Sequence, residues 1–139
     1  MHNTVEEVMT PKPQTVTDYA TLVEAAQIMR DADVGDVVVL GNGVPIGIIT
    51  DRDIVVRAVA EGTDPKTAIM RDFASAKLET IAPSAPLGEA VRMMRDKAIR
   101  RLVVVEDGKP VGVVSLGDLA KELDEDSALA DISAAPPND

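Results

Sequence analysis

Two pairs of residues in this chain combine a hydroxyl group with a carboxylate at the same spacing. Thr50 and Asp53 form one pair, and Ser115 and Asp118 form the other. Each hydroxyl lies at a predicted helix N-terminus, where exposed N–H groups favour an anion. The carboxylate can accept hydrogen bonds from two neighbouring hydroxyls of a ribose, while the hydroxyl serves a phosphate or ribose oxygen. The same spacing is also an ordinary helix cap, and local sequence alone leaves both interpretations open.

A run of basic side chains stands out in an otherwise acidic protein. The net charge is −10, yet five of the 14 basic residues fall within ten positions: Arg92, Arg95, Lys97, Arg100 and Arg101. Such a run near a helix end is often a solvated face or a partner of the helix dipole. Guanidinium groups also bind phosphate in bidentate fashion, so Arg52, Arg100 and Arg101 are candidate anion contacts. Because neighbouring strand residues point in opposite directions, Arg101 is favoured over Arg100 as the direct contact.

Several classes of chemistry lack the residues that they require. There is no cysteine, which excludes disulfides, thiolate catalysis and Cys-based zinc sites, and the one histidine is His2. The chain has no P-loop, no nucleophile elbow, no His-Glu-x-x-His motif and no EF-hand spacing. Neither an enzyme nor a metal site is predicted, since consecutive carboxylates such as those of 124–126 seldom form a fixed site. The acidic charge and the scarcity of aromatic residues, Tyr19 and Phe73, argue against nucleic acid.

The sequence contains an internal duplication. The segment 43–54 returns as 108–119, and matched Gly, Asp and Met residues are each 65 positions apart. Two tandem units of about sixty residues are each too small to bury their apolar faces well, so they should pack on each other and leave related clefts. We expect the function to reside in those clefts.

Both copies show the element order β-α-β-β-α. In the first copy a lead-in turn covers 5–10, a strand 15–17, a helix begins after the cap Thr21, a hairpin joins 37–40 to 46–49, and a helix covers 54–60. In the second copy the lead-in is 69–70, the strand 78–81, the helix 87–97, the hairpin 102–114 and the last helix 116–123. The predicted organisation is repeat 1 at 5–62, a junction at 63–67, repeat 2 at 68–123 and an acidic, flexible tail at 124–139.

The element order and the repeated turns resemble a tandem pair of CBS domains, the Bateman module named after cystathionine β-synthase. The most specific matches are Val8-Met9-Thr10, the strand segments 37–39 and 101–105, and the Gly-x-x-Thr/Ser-x-x-Asp turns at 47–53 and 112–118. The stretch 50–65 is also similar to small stand-alone bacterial CBS proteins of the hypoxic response type. The resemblance implies an α+β fold in which two repeats pack through their sheets with pseudo-two-fold symmetry.

The resemblance also implies two crossed nucleotide clefts, each joining the turn of one repeat to the first strand and pre-hairpin segment of the other. The first set comprises Thr50, Arg52, Asp53, Thr80, Ile81, Ile99, Arg100 and Arg101. The weaker second set comprises Thr15, Val16, Val34, Gly35, Ser115 and Asp118, with Asp36 beside them. Arginines make the first cleft cationic, whereas Asp36 would repel phosphate, so the sequence predicts one dominant site at Asp53.

The family implies a regulatory binder of AMP, ADP, ATP or a related adenosyl ligand, with no catalytic cofactor. The alternative is a nucleotide-independent adaptor for an unlinked effector protein. Apolar helix stripes that a partner lobe does not cover predict a homodimer. The start of the sequence lacks signal-peptide character and no apolar run is long enough to span a membrane, so we expect a cytoplasmic protein without a membrane partner.

Overall fold

The computed structural model describes residues 3–73 and 78–123, so His2 and the acidic tail 124–139 lie outside the described residues. The fold class is α+β, as predicted. The strands are β1 (Thr10–Pro11), β2 (Thr15–Thr17), β3 (Asp36–Gly41), β4 (Val44–Thr50), β5 (Thr80–Ile81), β6 (Arg101–Glu106) and β7 (Lys109–Ser115). The helices are α1 (Leu22–Ala32), α2 (Asp51–Asp53), α3 (Met70–Phe73), α4 (Leu87–Lys97) and α5 (Leu116–Leu123), with a 3-10 turn at Val5–Glu7 and a π-helix at Ile54–Val59.

The described residues form two compact units. The first unit contains 13–73, 78 and 107–110, and its sheet has the order β2-β3-β4. Strand β2 runs parallel to β3, and β3 runs antiparallel to β4. The β3–β4 turn has positive φ at both Asn42 (54°) and Gly43 (79°), as the type I′ turn predicted from Asn-Gly requires. Val37, Val39 and Ile49 are fully buried beneath α1, which gives this unit its aliphatic core.

The second unit contains 3–12, 79–106 and 111–123, and its sheet has the order β1-β7-β6-β5. The β6–β7 turn repeats the positive φ pair, at Asp107 (53°) and Gly108 (77°). The core combines β6 and β7 with one face each of α4 and α5, through Leu102, Val114 and Leu119. The matching turns and cores show that the duplication in sequence is a duplication in structure.

The two copies exchange their lead-in segments. Val5 is fully buried in the second unit, where its N–H donates to the carbonyl of Ala85 at 2.9 Å. Met70 is fully buried in the first unit, where its N–H donates to the carbonyl of Ala20 at 2.8 Å. Strand β1 then pairs antiparallel with β7 next to Gly112. Each lead-in therefore completes the core of the copy to which it does not belong in sequence.

Three predicted boundaries need correction. The strand expected at 78–81 covers only Thr80–Ile81. The helix expected to begin at Ile54 begins at Asp51, and its Ile54–Val59 portion is a π-helix. Arg100 precedes β6 instead of alternating with Arg101 inside the strand. The predicted helices over 87–97 and 116–123 are confirmed at both ends.

Candidate functional site

The first hydroxyl–carboxylate pair forms a reciprocal helix cap at the end of β4. Oγ1 of Thr50 accepts a hydrogen bond from the N–H of Asp53 at 3.1 Å, and Oδ2 of Asp53 accepts one from the N–H of Thr50 at 2.9 Å. This exchange satisfies two amide groups that a helix N-terminus otherwise leaves open. Oδ1 of Asp53 accepts no hydrogen bond from any residue that the structure describes. Capping therefore uses Oδ2 of the carboxylate and does not use Oδ1.

The second pair repeats this geometry at the end of β7. Oγ of Ser115 accepts from the N–H of Asp118 at 3.1 Å, and Oδ2 of Asp118 accepts from the N–H of Ser115 at 2.9 Å. Within the described ranges Oδ1 of Asp118 likewise has no hydrogen-bond donor. Both carboxylates are half-buried. Helix capping and ribose binding, the two interpretations that the sequence left open, are thus compatible. One carboxylate can cap the helix with Oδ2 and still accept a hydrogen bond from a hydroxyl at Oδ1.

The segment before each hairpin lies against the turn of its own repeat. The N–H of Asp51 donates to the carbonyl of Gly35 at 3.0 Å, and the N–H of Leu116 donates to the carbonyl of Arg100 at 2.8 Å. These two bonds are equivalent under the 65-residue offset. Within one repeat the helix start and the pre-hairpin residue are therefore direct neighbours. This proximity was not part of the crossed grouping predicted from the sequence.

The two turns have different charges around them. In the β3–β4 register Asp36 lies opposite Thr50, and the carboxylate of Asp51 lies near Gly35, so the first turn has carboxylates as its neighbours. At the second turn the equivalent of Gly35 is Arg100, whose side chain is exposed. In general a carboxylate near a turn repels a phosphate, and a guanidinium within reach attracts one. The first turn also contains a cation, because Arg52 lies in α2 between Asp51 and Asp53.

The remaining predicted residues lie in strands, in α2 and in loops. Thr80 and Ile81 form β5, at the edge of the second unit's sheet, and they line a cavity of about 580 Å³ with Ser84, Glu89 and Met93. Ile99 is half-buried against the second unit's core, and Arg101 is the first residue of β6. Thr15 and Val16 lie in β2. Val34 is exposed, and Arg52 is exposed in α2.

The crossed grouping joins residues of different compact units, and it stays a prediction. What sequence reasoning missed is the contact between Arg100 and the Ser115 turn. The 65-residue offset contained the signal, since Gly35 and Arg100 precede their hairpins at equivalent positions. The described residues contain no group of three or more His, Cys, Asp or Glu side chains arranged to hold a metal ion. Across residues 3–73 and 78–123, every helix is too short or too polar to cross a membrane.

Comparison with known proteins agrees with this architecture. Residues 5–59 and 69–125 each match the CBS domain family. An uncharacterized protein of Methanopyrus kandleri, MK0525, is 43% identical over 101 residues, covering 71% of this chain and 52% of that protein. Hypoxic response protein 1 of Mycobacterium tuberculosis is 31% identical over 132 residues, covering 94% and 92%.

Among solved structures, CBS domain protein PAE2072 of Pyrobaculum aerophilum, complexed with AMP, superimposes with a TM-score of 0.76 at 27% identity. The match covers 93% of this chain and 95% of that one. The resemblance predicted from the repeated turns, including that to hypoxic response proteins, is confirmed. With two matched copies over most of its length, the chain belongs to the CBS domain family as a tandem CBS pair.

Proposed function

We propose that this chain is a regulatory, non-catalytic ligand sensor that binds an adenine nucleotide, AMP, ADP or ATP, or a related adenosyl compound. The observation that carries the proposal is the duplicated cap. In each copy, Oδ2 of Asp53 or Asp118 accepts the capping hydrogen bond, and Oδ1 has no hydrogen-bond donor among the described residues. An ionised carboxylate in that position can accept hydrogen bonds from both hydroxyls of a ribose. The AMP bound to the Pyrobaculum aerophilum relative supports this choice of ligand class.

The proposed contacts use the residues predicted from the sequence, but we move the phosphate, together with Arg100, from the Asp53 turn to the Ser115 turn. We assign the phosphate to the Ser115 turn, because the backbone of Arg100 contacts that turn and its side chain is exposed beside it. The N-terminus of α5 adds the positive end of a helix dipole to the guanidinium charge. At the Asp53 turn the carboxylate of Asp51 lies beside Arg52 in α2, and we propose that this carboxylate makes the turn less attractive to a phosphate.

Calorimetric titration with AMP tests the proposal through paired variants. Asp118→Asn keeps a side-chain oxygen for the cap but removes the charge, and we expect about tenfold weaker binding, which corresponds to about 1.4 kcal/mol. Asp53→Asn should weaken binding of AMP less. Arg100→Gln should also weaken it, whereas Arg92→Gln, an exposed charge on α4, serves as the matched control and should leave it nearly unchanged.

Two outcomes would contradict these assignments. A larger loss from Asp53→Asn than from Asp118→Asn would return the dominant site to the crossed cleft predicted from the sequence. Absence of any thermal stabilisation by AMP, ADP, ATP or another adenosyl compound would favour the adaptor function, since a ligand at 100 times its dissociation constant adds about 2.7 kcal/mol.

We further propose that the sensor is a homodimer. Val55, Val56 and Val59 of the π-helix are 58%, 47% and 63% exposed, which is unusual for three neighbouring aliphatic side chains. Val59 also lines a groove of about 420 Å³ beside Leu22 of α1. A second copy that covers this surface would bury those side chains. Light scattering of Val59→Asp should show a shift toward monomer, with Val44→Asp, an exposed valine of β4, as control; a wild-type monomer would refute the dimer.

A further inference from the structure

The two equivalent helices α1 and α4 bury similar faces but expose faces of opposite charge. Each has 11 residues and buries one leucine, one alanine and one methionine at positions that the 65-residue offset relates. The stretch 22–35 carries three acidic residues and one basic residue, whereas the equivalent stretch 87–100 carries two acidic and four basic residues. Packing within each unit explains the similar buried faces, but it does not explain the difference in exposed charge.

The exposed face of α1 is anionic. Nε of Arg30 lies 2.8 Å from Oδ1 of Asp31, so these two charges offset each other. Glu24 and Asp33 are exposed, and neither carboxylate makes an ion pair with any residue that the structure describes. Two acidic side chains of α1 and its C-terminal cap are therefore available to a partner.

The exposed face of α4 is cationic. Arg95 lies 3.6 Å from Asp96, and Lys97 lies 3.9 Å from Glu79. Both pairs are solvated, so each contributes little. Arg92 is also exposed, and among residues 3–73 and 78–123 it has no ion-pair partner. Basic side chains therefore dominate this face.

The anionic face of α1 is continuous with the valine surface that we assign to the homodimer. Val59 of the π-helix lines one groove together with Val23 and Ala26 of α1, and Gln27 lies in the same lining. Glu24 is the neighbour in sequence of Val23. A second copy that covers the valines therefore also comes close to the charges of α1.

The charges of the two helices favour one of the two symmetric pairings. In a two-fold dimer, α1 faces either α1 of the second copy, or α4 of the second copy with the reciprocal contact formed as well. The first pairing brings like charges together on each helix, and like-charge contacts across an interface are costly. The second pairing brings the anionic face against the cationic face, which fixes the orientation of the two chains.

We propose that two copies of this chain associate head to tail, with α1 of each copy facing α4 of the other. The proposal rests on the homodimer proposed above and adds its orientation and the surface of the second unit that takes part. On α4 the positions equivalent to Val23 and Ala26 are Gly88, which is exposed, and Val91, which is half-buried. This small and aliphatic patch gives the valine surface an apolar counterpart beside the complementary charges.

Cross-linking of single-cysteine variants tests the orientation. Because the chain has no native cysteine, Ala26→Cys on α1 and Gly88→Cys on α4 each introduce one exposed thiol without changing a charge. Each variant alone, and a 1:1 mixture unfolded and refolded together, is treated with a short bismaleimide. We expect the yield of covalent dimer to be at least about fivefold higher in the mixture than in either variant alone, because only the mixture places the two thiols across the interface.

The other cross-linking results separate the orientation from the homodimer. Covalent dimer in each variant alone, with no gain in the mixture, would overturn the head-to-tail orientation and leave the homodimer in place. A dimer by light scattering that does not cross-link in the mixture would overturn the pairing of α1 with α4. A monomer by light scattering would refute the homodimer itself.

Charge reversal with rescue tests the electrostatic argument independently. Glu24→Lys/Asp33→Lys and Arg92→Glu/Lys97→Glu should each raise the dissociation constant of the dimer at least about tenfold at low salt, because each places like charges opposite each other. Combining all four substitutions should restore the constant to within about threefold of wild type, since the complementarity returns with its signs exchanged.

A matched control reverses two exposed acids outside these helices. Asp72→Lys/Glu106→Lys changes the net charge as much as Glu24→Lys/Asp33→Lys does, and it should leave the dissociation constant nearly unchanged. Unchanged constants in both helix variants, or failure of the combined variant to recover in a protein that remains folded by circular dichroism, would overturn the head-to-tail proposal.

Discussion

Gly112→Ala is expected to disturb the pairing of β1 with β7. A Cβ at this position would overlap Sδ of Met9 and lie 2.9 Å from the carbonyl oxygen of Thr10. The thioether can move aside, but the carbonyl belongs to a strand that is held by pairing of Thr10 with Val113 and of Pro11 with Gly112. Overpacking of this kind costs about 1–3 kcal/mol, against which the loss of backbone freedom in the unfolded chain restores about 0.4–1 kcal/mol. We therefore expect a net loss of about 1–2 kcal/mol.

Urea unfolding followed by circular dichroism measures this loss. Gly88→Ala is the matched control, because Gly88 lies in α4, is exposed, and has no atom within 4 Å of the added Cβ. Alanine in a helix should stabilise the protein by about 0.5–1 kcal/mol. The two glycine variants should therefore shift the midpoint in opposite directions. Equal stabilisation by both would show that the lead-in does not pack against Gly112, and would refute the exchange of lead-ins.

Two further perturbations test local contacts near the turns and the junction. Ser115→Ala should lower the free energy of unfolding, measured by urea titration, by about 1 kcal/mol, because the N–H of Asp118 loses the hydroxyl oxygen that accepts its hydrogen bond. Ser115→Thr keeps a hydroxyl and should retain most of this stability. Arg57→Gln should cost about 0.5–1 kcal/mol, since it removes the 2.8 Å hydrogen bond to the carbonyl of Phe73 and the guanidinium 5.9 Å from its ring. Arg52→Gln should leave the unfolding midpoint unchanged; equal effects of both arginine variants would count against the contact with Phe73.

Local elements were predictable because their signals are local. The Asn42-Gly43 turn requires positive φ at two positions, and this chemistry fixes the hairpin on either side of it. The helix over 87–97 follows from one apolar stripe, whose members Leu87, Ala90 and Met94 are buried. The caps at Thr50 and Ser115 follow from residue type and spacing alone.

Other features depend on contacts between residues distant in the chain. The burial of Val5 beside Ala85 and of Met70 beside Ala20 is decided by tertiary packing, which no local pattern encodes. The π-helix at Ile54–Val59 and the αL end of α4 at Ala98 (54°) also depend on packing, since neither has a glycine or proline signal. The backbone hydrogen bond between Leu116 and Arg100 joins residues sixteen positions apart, and no local pattern in the sequence encodes it.

In the proposed complex a carboxylate of the duplicated cap accepts hydrogen bonds from the vicinal hydroxyls of a ribose. Calorimetric titration of the full-length chain with AMP and with its 2′,3′-dideoxy analogue tests this most directly. We predict at least about tenfold weaker binding of the analogue to the wild-type protein, and nearly equal affinities for the two ligands in Asp118→Asn/Asp53→Asn. Equal affinity of the wild-type protein for AMP and the analogue would contradict the claim.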